Sequence, residues 1–145
     1  GAPPFLPQGW GHISFSHCSD ALLIGWSNKE LGVDIERADR SFTAKRIAKR
    51  YFCAEEVLAL KGLKGESLRK KVLEQWVKKE AAIKWQKGNL FADLPQWCLK
   101  TNSLSLFHRS LGSEVMVNHI NHKEWTIAIA FTAELGTIYP VICAG

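Results

Sequence analysis

The feature that most constrains this chain is the stretch Ser67–Lys87, where Leu68, Val72, Leu73, Trp76, Val77, Ala81 and Ile83 recur at the spacing of one helical stripe. No other part of the sequence sustains that period for so long. This segment is therefore predicted to be the helix on which the rest packs, and Gly88 is placed to stop it. A stripe of that length needs an apolar partner, and the remaining chain offers short strands. Ala21–Trp26 is continuously apolar, while Leu31–Glu36 alternates Leu31, Val33 and Ile35 with Gly32, Asp34 and Glu36. With the turn-like Ser27–Glu30 between them, the two read as a hairpin. His12–Phe15 reads as a further strand. Thr43–Arg50, with Ser41 or Thr43 as cap, and Ala54–Leu60 read as short helices. Gln96–Leu99, Glu114–Ile120, Trp125–Phe131 and Ile138–Cys143 have strand character. Hairpin, helices, then strands predicts an α+β fold: a mostly antiparallel sheet with helices packed on one face. No repeat, low-complexity segment or linker divides the chain, so residues 1–145 read as one domain.

Composition narrows the function classes. No apolar stretch approaches the roughly 20 residues that cross a bilayer, and residues 1–10 lack the basic start and apolar run of a secretory signal. The expectation is a soluble, cytoplasmic protein with no membrane partner. Cys18, Cys53, Cys98 and Cys143 show no C-x-x-C spacing and read as buried free thiols, not as a disulfide framework or a zinc site. The net charge of +5 is concentrated in Lys45–Arg50 and Lys61–Lys87. Such a surface attracts phosphates or an acidic protein. Nucleic acid would be attracted too, but nothing beyond charge supports it and it is not expected.

Two segments carry chemistry. Asp34 and Glu36 are two apart on a strand, so their carboxylates point the same way. A hard divalent cation such as Mg²⁺, which takes oxygen ligands and keeps room for phosphate oxygens, would relieve their repulsion. A solvent-facing acidic pair at a strand end is the bland alternative. In Trp76–Lys84, Glu80 and Lys84 are four apart in the order that favours a helical ion pair, which is unremarkable alone. Yet Trp76 and Glu80 share a face with Ile83, Lys84 and Lys87, and a carboxylate flanked by ammonium groups could complete a metal–phosphate site.

Gly32-Val33-Asp34-Ile35-Glu36, followed 40 residues later by Trp76-Val77-Lys78-Lys79-Glu80-Ala81 and then Lys84, resembles the two signature motifs of the 4'-phosphopantetheinyl transferase superfamily. Ile13-Ser14-Phe15-Ser16-His17-Cys18 is similar to the segment that opens the catalytic, second half of the larger, surfactin-synthetase-activating type. Arg46–Glu56 resembles that type's connecting stretch. The resemblance covers roughly residues 7–88. Val77 stands where the family usually has Ser or Thr, and Cys18 replaces a second Ser. The larger type has two such halves, and this chain matches one. The smaller, trimeric acyl carrier protein synthase type is about this long but lacks the Ser-His segment.

The resemblance implies transfer of the 4'-phosphopantetheine arm of coenzyme A, the co-substrate, onto a serine of an acidic acyl or peptidyl carrier protein, with release of 3',5'-ADP. It implies Asp34, Glu36 and Glu80 as Mg²⁺ ligands, and Lys79 and Lys84 on the coenzyme A phosphates. Ser16 would meet the pyrophosphate and His17 the 3'-phosphate. Glu56 would assist catalysis, with Glu80 and a metal-bound water as competing bases, and Lys84 holding charge on the departing group. A lone half further implies a homo-oligomer, most simply a dimer. An inactive half-length relative that only binds coenzyme A or a carrier protein is the alternative.

Overall fold

The computed structural model describes residues 3–100 and 103–132. In chain order they form β1 (His12–Cys18), β2 (Ala21–Ser27), β3 (Leu31–Arg37), α1 (Ala44–Tyr51), α2 (Ala54–Ala59), α3 (Gly65–Gln86), α4 (Leu90–Asp93), β4 (Trp97–Leu99), β5 (Ser105–His108), β6 (Glu114–His122) and β7 (Trp125–Phe131). The fold is α+β. The strand anticipated at Ile138–Cys143 lies outside the described residues.

The long helix forms where the apolar stripe places it, and Val72, Val77, Ala81 and Ala82 are wholly buried. Its stop differs by one residue from expectation. The left-handed turn is made by Lys87 (φ 59°), and the Gly88 N–H donates back to the Ile83 carbonyl at 3.0 Å. A Cβ at Gly88 would meet only the Asp93 carboxylate and the Gln86 amide, ends of side chains that can swing aside. Thr43 does stand at the start of α1, but its side chain makes no capping bond.

Five strands pair in the order β3-β7-β6-β5-β4, all antiparallel. Helix α3 lies across one face of this sheet, with Leu73, Val77, Ala81 and Ile83 packed on Leu106, Val115, Val117, Ala128 and Ala130. On its other side α3 buries Leu68 and Val72 against Ala48 of α1 and against Phe52 and Leu60, the residues that follow α1 and α2. Among the described residues, no helix is long and apolar enough to cross a membrane.

The hairpin expected between Ala21–Trp26 and Leu31–Glu36 does not form. Strand β2 pairs with β1, through a two-residue loop at Ser19-Asp20, and β3 joins β7 in the other sheet. Two residues close a hairpin readily, whereas Ser27 of the expected turn ends β2 and residues 28–30 lead the chain from one sheet to the other. The β1–β2 ribbon then docks on the free edge of β3 by side chains. Ser14 Oγ accepts from the Val33 N–H (3.1 Å) and Ser16 Oγ from the Ile35 N–H (3.0 Å), so hydroxyls occupy an edge that backbone carbonyls would otherwise take.

Candidate active site

Two features bring the sequence-distant acids together. The alternation of β3 puts Gly32, Asp34 and Glu36 on the face that meets α3, and Leu31 and Val33 on the face under Gly25 of the ribbon. Gly32 sets the distance: a Cβ there would overlap the Ala81 carbonyl and the Trp85 amide, so only glycine lets the helix backbone sit directly on the strand. Small residues beside it, Ala130 opposite Gly32 and Ala128 opposite Asp34, continue the shallow bed. The carboxylate face is therefore not solvent-facing but faces the helix, and Glu80 on α3 comes down beside Asp34.

Burial is what raises Asp34 well above the ordinary carboxylate range, and repulsion from Glu80 adds to it; Lys84 and a hydrogen bond from Ser16 only partly offset this. Glu80 is raised chiefly by burial as well, with Lys84 as its largest relief and Glu36 adding repulsion. The cation between them is Lys84, whose Nζ lies 3.1 Å from Asp34 Oδ1 and 3.2 Å from the Phe15 carbonyl. Asp34 thus pairs with this ammonium directly, and Glu80 feels only its charge. The third acid, Glu36, is near enough to repel Glu80, but its own oxygens are engaged elsewhere, by the Arg37 N–H (3.0 Å) and by Arg40 Nη1 (2.6 Å).

A cleft of about 610 Å³ opens beside this cluster, between the proline-rich segment Pro3–Pro7, β1 and the end of α3. Lys84 links it to the acids, and Lys87 adds a second ammonium at its wall. Sequence reading placed Lys87 on the right helix face without giving it a role; the signal is its three-residue spacing from Lys84. Ser16 is buried, donates to Asp34 Oδ1 (3.0 Å) and accepts from Ile35, so its hydroxyl positions Asp34 and is not free for a pyrophosphate. His17 stands exposed on the outer face of the ribbon and does not line the cleft.

Two further residues stand away from the cluster. Lys79 has no exposed surface; its Nζ sits 2.6 Å from Glu56 Oε1 and 4.8 Å above the Phe52 ring. Glu56, 2% exposed, also accepts from the Cys53 N–H (3.0 Å) and the Leu99 N–H (3.4 Å). In this arrangement both groups are buried against each other and neither lines the cleft, apart from the places at the coenzyme A phosphates and in catalysis expected of Lys79 and Glu56. The reason is helical geometry. Residues i and i+1 point about 100° apart, so when Glu80 faces β3, Lys79 faces α1 and α2.

The acid cluster fits a hard divalent cation by its chemistry. Its donors are carboxylate oxygens, and Asp34 with Glu80 holds more negative charge than Lys84 neutralises. Glu36 would have to leave Arg40 to join them. Among the described residues, the three acids do not lie within 4.8 Å of one another as a set; that spacing is met by Cys53, Glu55 and Cys98.

A model of the 4'-phosphopantetheinyl transferase superfamily matches residues 30–130, which include β3, α3 and the acid cluster between them. No curated protein matches the chain. Among solved structures, the fold is similar to a holo-(acyl-carrier-protein) synthase from Bacillus anthracis str. Ames in complex with CoA (3',5'-ADP). The TM-score is 0.54 at 19% identity, over 72% of this chain and 96% of that one.

Proposed function

Because the chain belongs to the 4'-phosphopantetheinyl transferase superfamily, we propose that it transfers the phosphopantetheine arm of coenzyme A to a serine of an acyl or peptidyl carrier protein. The observation that carries this reading is the under-neutralised pair Asp34–Glu80, joined through Lys84 to a cleft with a second lysine in its wall. A coenzyme A pyrophosphate supplies the charge that such a site is short of only when a cation accompanies it. Asp34, Glu36 and Glu80 would hold Mg²⁺, whose chemistry there is to draw charge from the pyrophosphate as a Lewis acid.

The protein's own groups perform the rest. Lys84 and Lys87 hold phosphate oxygens as point charges. The carrier serine oxygen bonds to the β-phosphorus, and the bond from that phosphorus to the bridging oxygen breaks, releasing 3',5'-ADP. The serine proton goes to Glu80, whose burial raises its affinity for protons. Ser16 keeps Asp34 oriented throughout. The exposed basic face of α1, with Lys45, Arg46, Lys49 and Arg50, steers an acidic carrier protein in. Incubation with coenzyme A, Mg²⁺ and a panel of apo-carrier proteins should add one phosphopantetheine mass to at least one of them. If no carrier gains it while the protein still binds coenzyme A, the transfer reading is wrong.

The reading extends to assembly. The outer face of the ribbon exposes Phe15, Leu22, Ile24 and Trp26, the last three by more than half of their surface. Contiguous apolar area of this kind marks an interface, and a second copy related by two-fold symmetry covers it most simply. Light scattering should give a dimer, and Ile24→Glu should give a monomer; a wild-type monomer at micromolar concentration would overturn the assignment.

A further inference from the structure

We propose that Cys53, Glu55 and Cys98 form a second metal site, selective for a soft, zinc-class divalent ion and separate from the carboxylate cluster. One ligand atom from each of these side chains lies within 4.8 Å of the other two. Zinc binds thiolate sulfur at about 2.3 Å and carboxylate oxygen at about 2.0–2.2 Å, so tetrahedral ligands sit roughly 3.5–3.8 Å apart. The three donors therefore converge to within small side-chain movements of that geometry.

The ligands come from separate parts of the chain. Cys53 and Glu55 stand at the start of α2, and Cys98 lies in the middle of β4, opposite Phe107 of β5. The two thiols are buried, and their sulfurs lie within 4.8 Å of each other. Glu55 is exposed and gives the ion a way in, with the fourth position left to water. Outer partners are present too. Cys53 Sγ accepts the Glu56 N–H, a bond that suits a sulfur carrying charge, and Arg109 places positive charge beside both Glu55 and Cys98. Sulfur donors select against Mg²⁺, and oxygen donors at Asp34 and Glu80 select for it, so the two sites sort two classes of ion.

The location gives the site a consequence. The same two segments, through the Cys53 and Leu99 N–H groups, grip the Glu56 carboxylate that pairs with Lys79. An ion bridging Cys53 and Cys98 would staple α2 to β4 around that buried pair and so fix the middle of α3. Binding converts the two thiols to thiolates and releases their protons to solvent.

The test uses the full chain carrying Cys18→Ser and Cys143→Ser, in reduced form, titrated with Co²⁺ as a spectroscopic stand-in for zinc. The proposal expects one equivalent to bring up a thiolate-to-cobalt charge-transfer band and the visible bands of a tetrahedral centre. Zn²⁺ should then displace them, and up to two protons should be released per ion. Zn²⁺ should also raise the melting temperature, as any ligand of the native state does. Cys98→Ser in the same background should remove the band. Glu55→Gln should weaken affinity on the order of tenfold or more, since even outer partners of a metal are worth that much. Three results would overturn the proposal: no band at excess Co²⁺, a band that survives loss of both Cys53 and Cys98, or air oxidation that consumes both thiols in a protein whose reduced form takes up no metal. None of these readouts depends on phosphopantetheine transfer, so the site stands or falls apart from that activity.

Discussion

Lys79 and Glu80 are neighbours in the chain, yet they belong to ionic arrangements of opposite character on two sides of α3. On one side, Lys79 and Glu56 form a one-to-one pair sealed from water, with the carboxylate's remaining valences taken by two backbone N–H groups. On the other, Glu80 and Asp34 have a single lysine beside an open cleft, and burial above all pushes both toward protonation, with repulsion from Glu80 adding to it at Asp34 and from Glu36 at Glu80. The first arrangement is complete without any ligand. The second has negative charge left over, and in a domain that must be stable on its own such a surplus persists where something else supplies the missing cation. Burial of a charge alone therefore does not mark a functional site; imbalance next to an opening does.

The contrast is broken most severely at Lys79. Lys79→Ala leaves the Glu56 carboxylate buried without its cation, and removing one partner of a buried pair costs about 3–5 kcal/mol. Thermal or urea unfolding should show that loss directly. The double change Lys79→Met with Glu56→Leu should recover part of it, because the uncompensated charge goes, but not all, because the Cys53 and Leu99 N–H groups lose their acceptor. A Lys79→Ala protein as stable as the parent, with transfer abolished, would instead return Lys79 to the ligand site.

At the acid pair the sign reverses. Asp34→Asn and Glu80→Gln remove repulsion and desolvated charge, so they should leave the protein at least as stable as the parent while abolishing transfer. The pH dependence follows the same sign. A carboxyl raised in the folded state holds its proton more tightly there than in the unfolded chain. Its stabilising contribution is therefore complete below the ordinary carboxylate value, near 4, and fades as pH rises through the raised folded value. Melting curves without divalent cations should show stability falling over that window, and Asp34→Asn should flatten the fall. Millimolar Mg²⁺ should restore stability at neutral pH in the parent and not in the variant. An Asp34→Asn variant that melts several degrees lower than the parent would mean that the pair stabilises the fold by itself.

Period and spacing made much of this legible in the sequence. The stripe in Ser67–Lys87 gave α3, and the alternation in Leu31–Glu36 gave the shared face of Asp34 and Glu36. What spacing cannot carry is which strand pairs with which. The partner of β3 is β7, some 90 residues on, whereas nearness in sequence favours β2. The same limit hid the meeting of Cys53 with Cys98. Strand β5 and helix α4, at four residues each, are too short to show a period. Lys79 lies away from the acid cluster for a different reason: the motif reads Lys79 and Glu80 together, whereas a helix separates adjacent side chains by about 100°. The resemblance alone gives Ser16 to the pyrophosphate, whereas its bonds to Asp34 and Ile35 depend on how the ribbon docks.

The smallest effect should come at Glu36, the member of the acid set that the structure finds turned aside. Its carboxylate holds Arg40, a half-exposed side chain, at 2.6 Å. Exposed ion pairs are worth roughly 0–1 kcal/mol, so Arg40→Ala should barely move the melting temperature. For Glu36 to join Asp34 and Glu80 around a cation it must first give up this partner, and that small sum is subtracted from ion binding. Removing Arg40 should therefore lower the Mg²⁺ concentration needed for half-maximal transfer, by at most about fivefold, since 1 kcal/mol corresponds to that ratio. Charge alone would act the same way, because any lost cation nearby favours another, so Arg37→Ala serves as the control. Arg37 pairs with Asp20 and Asp39 and offers Glu36 only its backbone N–H. If both variants shift the Mg²⁺ requirement equally, general electrostatics explains the effect. A shift confined to Arg40→Ala identifies Glu36 as the ligand that swings in, and no shift in either leaves the cation to Asp34 and Glu80 alone.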